Sequence, residues 1–317
     1  MPLMKLKTRC WLPVVAACAV FAGMSLSSAA WAAEPENAPD GKPAAKGSAS
    51  TAHPILSRLR PAYHVAERSE AAKAAAAAPM LAPGQANEHP LMPVLRWAYS
   101  GMGNIEKLHD YSATLAKRER IGGKLLEYQF MFVKLRQKPF SVYMCFLGPA
   151  DMKGQEVIYV DGLNNGNMWA HGVGFQAALG TLSLKPDGIV AMKNQRYPLT
   201  ELGILNMTRR LVEVGEDNKR FGECDVKFYE AAKINGRVCT MIEVVHPVPR
   251  RNFVFHIARI FVDKELNLPI RYESLDWPRE RGGPPELMEE YTYLNLKLNN
   301  GFTNADFDIK NPNYKFR

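Results

Sequence analysis

The sequence predicts an α+β protein built on one extensive antiparallel sheet with two covering helices. Three observations predict it. Phe140, Val142, Met144 and Phe146 alternate with Ser141, Tyr143, Cys145 and Leu147, the two-residue period of a strand with one wholly apolar face. Similar runs recur towards the C-terminus, joined by short turns such as Gly122-Gly123, Gly148-Pro149 and Asn235-Gly236 that suit antiparallel neighbours. Two other segments carry their apolar residues at helical spacing instead.

The chain opens on Lys5, Lys7 and Arg9, an apolar run from Cys10 to Met24, and Ala30-Trp31-Ala32, the layout of a secretory signal peptide over residues 1–32. The apolar run falls short of the roughly 20 residues a bilayer core demands, which counts against a retained anchor. Val15-Ala16-Ala17-Cys18 has the shape of a lipoprotein processing site. Cleavage near Ala32 accounts for more residues, so a soluble protein exported to the periplasm or cell envelope is expected ahead of one lipidated at Cys18. Residues 33–90 are rich in Ala, Pro, Gly and Ser, with Tyr63 almost alone as an aromatic, and cannot bury enough apolar area to offset the entropy of ordering. A flexible Ala/Pro-rich linker is expected there.

The folded domain is expected over 91–317. Leu91, Leu95, Ala98, Met102, Ile105 and Leu108 follow helical spacing behind Pro90 and Pro93, although Gly101 and Gly103 each weaken that helix by roughly 1 kcal/mol. Residues 111–121 and 125–136 flank Gly122-Gly123 as a hairpin, and the alternating strand over 140–147 follows. Strands over 155–160 and 167–171 flank a turn over 161–166. An apolar, Gly-containing stretch over 172–198 then breaks the pattern. Thr200 caps the second predicted helix, Glu201 favours its positive end, and Ile204, Met207, Leu211 and Val214 line one face. Strands over 225–234, 237–245, 253–262, 268–274 and 287–298 complete the single domain.

Removing the signal segment takes Lys5, Lys7 and Arg9 from the 40 basic residues, leaving 37 against 32 acidic ones, so the net charge falls from +8 to +5. Basic pairs such as Arg209-Arg210 and Arg250-Arg251 are scattered, which argues against a nucleic-acid partner. Export leaves Cys145, Cys224 and Cys239, an odd number. An Asn235-Gly236 hairpin pairs Cys239 with Ala232 and puts Cys224 roughly 26 Å further along, so free, packed thiols are expected.

No nucleophile elbow, phosphate-binding loop, dinucleotide fingerprint or zinc-protease helix motif is present. His109, His171, His246 and His256 fall on separate elements without metal-ligand spacing, Cys145 has no His placed beside it, and Glu289-Glu290 reads as a solvated strand end. No catalytic residue, metal or cofactor is expected, and the protein reads as non-enzymatic.

The helix followed by a meander, the Asp161-Gly162 turn leading to Met168-Trp169, and the central helix form one set of features. The second is Ile260-Phe261-Val262-Asp263-Lys264, then Leu268-Pro269-Ile270, a Tyr-rich strand, Asn299-Asn300-Gly301, and Phe307 before Asn311-Pro312. Together they resemble the LolA-like superfamily of periplasmic lipoprotein carriers and sensors over 91–317, and within it the domain of unknown function 1571 family. The resemblance implies a half-open β-barrel whose concave apolar face is covered by helices and takes up an acyl chain, a lipid or a lipidated protein, with carriage between membranes as one outcome. Phe130, Phe132, Phe140, Val142, Met144 and Phe146 are the candidate wall, and Trp97, Met102, Phe175, Leu179, Ile204 and Met207 the candidate lid. Lys138, before Pro139, stands where the superfamily carriers have an Arg that latches the lid, and lacks that residue's forked donors. An envelope sensor with a filled core, reading a membrane-associated partner protein, is the alternative.

Overall fold

Asparagine and glycine at positive φ turn the chain from strand to strand: Gly122 (57°) and Gly123 (81°), Asn235 (53°) and Gly236 (85°), and Asn267 (52°). At Asn235-Gly236 both central residues are left-handed, as a two-residue hairpin requires. The computed structural model describes residues 63–64 and 88–316, all within the compact unit Thr51–Arg317. The expected signal peptide and most of the expected linker lie outside the described residues.

The elements in chain order are β1 (Tyr63–His64), α1 (Met92–Glu106), β2 (Asp110–Ile121), β3 (Lys124–Leu125), β4 (Gln129–Arg136), β5 (Ser141–Gly148), β6 (Glu156–Val160), β7 (Met168–His171), β8 (Thr181–Leu184), α2 (Ile204–Asn218), β9 (Asp225–Ile234), β10 (Arg237–Val245), β11 (Ile257–Asp263), β12 (Leu268–Asp276) and β13 (Glu286–Leu298). The strands form one antiparallel sheet in the order β1-β9-β10-β11-β12-β13-β2-β4-β5-β6-β7-β8, with β3 paired to β2 at its end. The path is open. From β2 in mid-sheet the chain meanders out to β8, crosses by way of α2 to β9, and meanders back until β13 closes against the other side of β2.

Register separates the two faces. Leu115, Met131 and Phe146 form one cross-strand row, Ala113, Val133, Met144, Val157 and Ala170 the next, and Tyr111, Leu135, Val142 and Tyr159 a third. These rows are one buried cluster, onto which Ile204 and Leu205 of α2 pack. The same face continues through Ile242, Val244, Ala258 and Ile260, where α1 and the far half of α2 lie in a second cluster. Burying each Val, Leu, Ile, Phe or Met side chain among them contributes about 1.5–3 kcal/mol. The indole N–H of Trp97 donates to the Asn267 side chain at 3.1 Å and ties α1 to the β11–β12 turn.

The outer face carries Phe130, Met241, Phe261 and Ile270, and a further cluster in which Phe307 and Phe316 of the C-terminal segment cover Tyr143, Ile158 and Val160. Tyr314 stacks on Tyr143 with ring centroids 3.9 Å apart. Beside the apolar groups runs a cross-strand line of charge, Glu243, Arg259, Glu273, Glu290 and Arg118.

Three local expectations are corrected. Thr200 does not cap α2: it sits in a short 3-10 turn (Leu199–Glu201), and the N-cap is Gly203 at φ 117°, a conformation open to glycine. Thr181–Leu184 is a strand inside the stretch over 172–198, because Ala170 and His171 of β7 offer it an edge. The strand expected to start at 253 starts at Ile257, since Phe253 and Phe255 instead pack around His246, with the Phe253 ring stacked on the imidazole at 3.9 Å.

Candidate functional site

The helix-covered face between β2 and β7 collects Phe140, Val142, Met144 and Phe146 of the candidate wall and Ile204 and Met207 of the candidate lid into one cluster. Trp97 and Met102 pack in the second cluster, beneath α1. Phe130 and Phe132 belong elsewhere. Val133 faces Met144 across the β4–β5 pair and Phe132 faces Cys145, so Phe130 and Phe132 point to the outer face. The strand Gln129–Arg136 is apolar at both parities over Phe130, Met131, Phe132 and Val133, and alternation alone does not say which set faces inward. Phe175 and Leu179 lie in the turn between β7 and β8 and are 90% and 60% exposed, outside both clusters.

The chain between β8 and α2 lies over the helix-covered face, with Ala191, Leu199 and Leu202 resting on its apolar rows. Its tip, Gln195 to Tyr197, is held by a polar group that the sequence did not reveal. The Arg196 backbone N–H donates to Glu119 at 3.1 Å, its Nε donates to Glu289 at 3.0 Å, and its Nη1 donates to the Arg120 carbonyl at 3.2 Å. Tyr197 and Ser274 donate to the other Glu289 oxygen at 3.3 and 3.1 Å. The Tyr291 hydroxyl lies between the two acids, donating to Glu119 at 2.5 Å with Glu289 3.2 Å away. Lys117 completes the group at 3.3 Å from Glu119 and contacts Gln195. Burial pushes the Lys117 ammonium below its ordinary pKa, against the pull of Glu119. All four carboxylate oxygens have donors, so the arrangement works as a pin for this segment.

Glu289 and Glu290, read from sequence as solvated, are therefore both buried, one on each face of β13. Only their partners could have revealed this: Arg196 is 93 positions from Glu289, and Arg271 is 19 from Glu290.

At the other end of the same face, where β4 turns into β5 and α2 begins, a cleft of about 400 Å³ opens to solvent. Lys138 and Phe140 line it from the sheet, Leu205 and Arg209 from α2, and Glu106 from the last turn of α1. Arg209 and Glu106 pair at 2.7 Å across the helix ends. Among the described residues no group of three or more His, Cys, Asp or Glu is placed to hold a metal ion, and no helix is long and apolar enough to cross a membrane.

Fold and site thus define an α+β protein with one open antiparallel sheet roofed by helices over an apolar face. The chain belongs to the family described as protein of unknown function (DUF1571), which matches residues 108–316. Among solved structures it is similar to lipoprotein LppX from Mycobacterium tuberculosis (13% identity, 68% of this chain and 100% of that one, TM-score 0.41). It is also similar to a DUF1329 family protein from Desulfovibrio piger (15% identity, 70% and 98%, TM-score 0.35) and a LolA superfamily protein from Nitrosomonas europaea (11% identity, 67% and 97%, TM-score 0.28). The comparison with curated proteins finds no match.

Proposed function

We propose that this domain is a non-enzymatic binding protein of the cell envelope that holds a lipid, an acyl chain or the acylated end of a lipoprotein between its sheet and its helices. The observation that carries the reading is the three apolar rows that start on β2 and run outward, one of them as far as β7, roofed by a segment that rests on them through side chains and the Arg196 pin. An acyl chain that takes the place of that roof gains about 0.8 kcal/mol per buried methylene, so six methylenes offset about 5 kcal/mol of displaced contacts. Met144 and Met131 on the wall adapt to a flexible chain. Uptake then requires the roof to shift, and a ligand that binds only the open arrangement selects it.

The test is lipid mass spectrometry of the full chain isolated gently from its native envelope, with displacement of a fluorescent fatty acid as the second readout. Near-stoichiometric lipid, and probe binding weakened by Met144→Ala on the wall while Phe132→Ala on the outer face leaves it unchanged, support the reading. Clean protein that takes up no probe rejects it.

A second reading, an interaction module that recognises a partner protein, draws on Phe175, Leu179 and Ile189, which are 90%, 60% and 94% exposed beside the β8 edge. Capture of one protein, unaffected by delipidation and lost on Phe175→Ser, favours it.

A further inference from the structure

The cleft at Lys138 is lined by charges of both signs. Glu106 and Arg209 satisfy each other at 2.7 Å. Lys138 and Asp161 line the same cleft from the β4–β5 turn and the end of β6, and the Asp161 backbone N–H donates to the Phe140 carbonyl at 2.8 Å, which holds the two turns together. Both side chains are exposed. The Asp161 carboxylate accepts from Tyr159 at 3.5 Å, and Lys138 lines the cleft beside it. One cation and one carboxylate therefore face the cleft with capacity left for a ligand.

The floor is apolar. Phe140, Leu205 and Tyr159 line the cleft and belong to the cluster that contains Val142 and Met144, so a chain attached to a group in the cleft enters the helix-covered face directly. About 400 Å³ is within the range that holds a small polar head.

We infer that the cleft is a headgroup subsite for a zwitterionic amphiphile, an acyl chain carrying a phosphate and a primary ammonium, with the phosphate against Lys138 and the ammonium against Asp161. The inference rests on the reading of the apolar face as a ligand site. With Glu106 and Arg209 cancelling, an anionic head attracted by Lys138 also meets the repulsion of Asp161, and a cationic head meets the reverse. A head bearing both signs is attracted at both places, and its charge-assisted hydrogen bonds exceed those of a neutral head.

The experiment titrates the full chain with lysophosphatidylethanolamine, lysophosphatidylglycerol and a free fatty acid of the same chain length, below their micelle concentrations, by displacement of a fluorescent fatty acid. The ethanolamine lipid is expected to bind about tenfold tighter than the glycerol lipid, the effect of one hydrogen bond to a charged group. Asp161→Asn brings the ethanolamine lipid down to the glycerol lipid and leaves the latter no weaker, whereas Lys138→Ala weakens both phospholipids. Unchanged thermal unfolding of these two surface variants separates the effect from misfolding. Equal binding of the two phospholipids, or a preference that survives both substitutions, overturns the headgroup subsite while the apolar site stands. No binding of any of the three overturns both.

Discussion

The hydroxyl of Tyr111 accepts the backbone N–H of Ile204 at 2.9 Å, so the first residue of α2 is held by the sheet wall on which the helix lies. Gly203 supplies no side-chain cap, and the buried phenol takes over that role. Burial also raises the Tyr111 pKa well above 10.0, which keeps the hydroxyl protonated.

Tyr111→Phe removes this acceptor and is expected to cost about 1–2 kcal/mol, read as a lower urea midpoint with an unchanged slope. Gly203→Ala costs more. Its φ of 117° disfavours a side chain, and a Cβ there meets Leu135 at 2.7 Å and Tyr111 at 3.1 Å. Equal stability of wild type and Gly203→Ala would show that the helix entry is not constrained in this way.

On the outer face, Glu273 and Glu290 are direct cross-strand neighbours of like charge, and Arg271 donates to them at 2.6 and 2.5 Å and to Thr292 at 2.6 Å. All three charged groups are buried. Arg271→Ala leaves buried Glu290 without its arginine and Glu273 with Arg259 alone, at 2.9 Å, and is expected to cost about 3–5 kcal/mol. Arg210→Ala, which removes an exposed pair with Glu213, stays within about 0.5 kcal/mol. Chemical denaturation of both variants checks the contrast.

His246 is buried, 2.9 Å from the Asn218 amide nitrogen and 3.1 Å from the Glu223 carbonyl. Burial first, then His256 and His89, push its pKa below 6.5, with the Glu223 carbonyl opposing. Below pH 6.5 the unfolded chain takes up a proton that the folded site resists, so stability falls as the pH drops from there towards the folded pKa. The urea midpoint is expected to decrease between pH 7.5 and 5.5, and the decrease to shrink in His246→Gln. A slope unchanged by that substitution would assign it to other groups.

The three thiols Cys145, Cys224 and Cys239 are free. Burial pushes Cys239 up to about 12 and Cys224 up to about 11, and raises Cys145, which is half-buried. Iodoacetamide at pH 8 is expected to modify Cys145 first and to reach Cys224 and Cys239 only on unfolding, as peptide mapping would show. Early labelling of Cys239 would mean that β10 opens readily.

Local sequence was enough for the hairpins. Asn235-Gly236 demands two left-handed residues, and the pairing of Cys239 with Ala232 follows from that turn alone. The alternation over 140–147 likewise identified the inner face of β5, because one parity is wholly apolar there while the other carries Ser141 and Tyr143. Tertiary structure decided what alternation leaves undetermined. It turned Phe130 and Phe132 outward, since only pairing with β5 distinguishes the faces of a strand apolar on both, and it left Phe175 and Leu179 in solvent. It also buried Glu289 and Glu290 against arginines from other elements, and drew Lys138, Asp161 and the ends of both helices around one cleft. Strand period and turn chirality act between neighbours a few residues apart, whereas the neutralisation of a buried charge and the lining of a cleft depend on groups that only the folded sheet brings together.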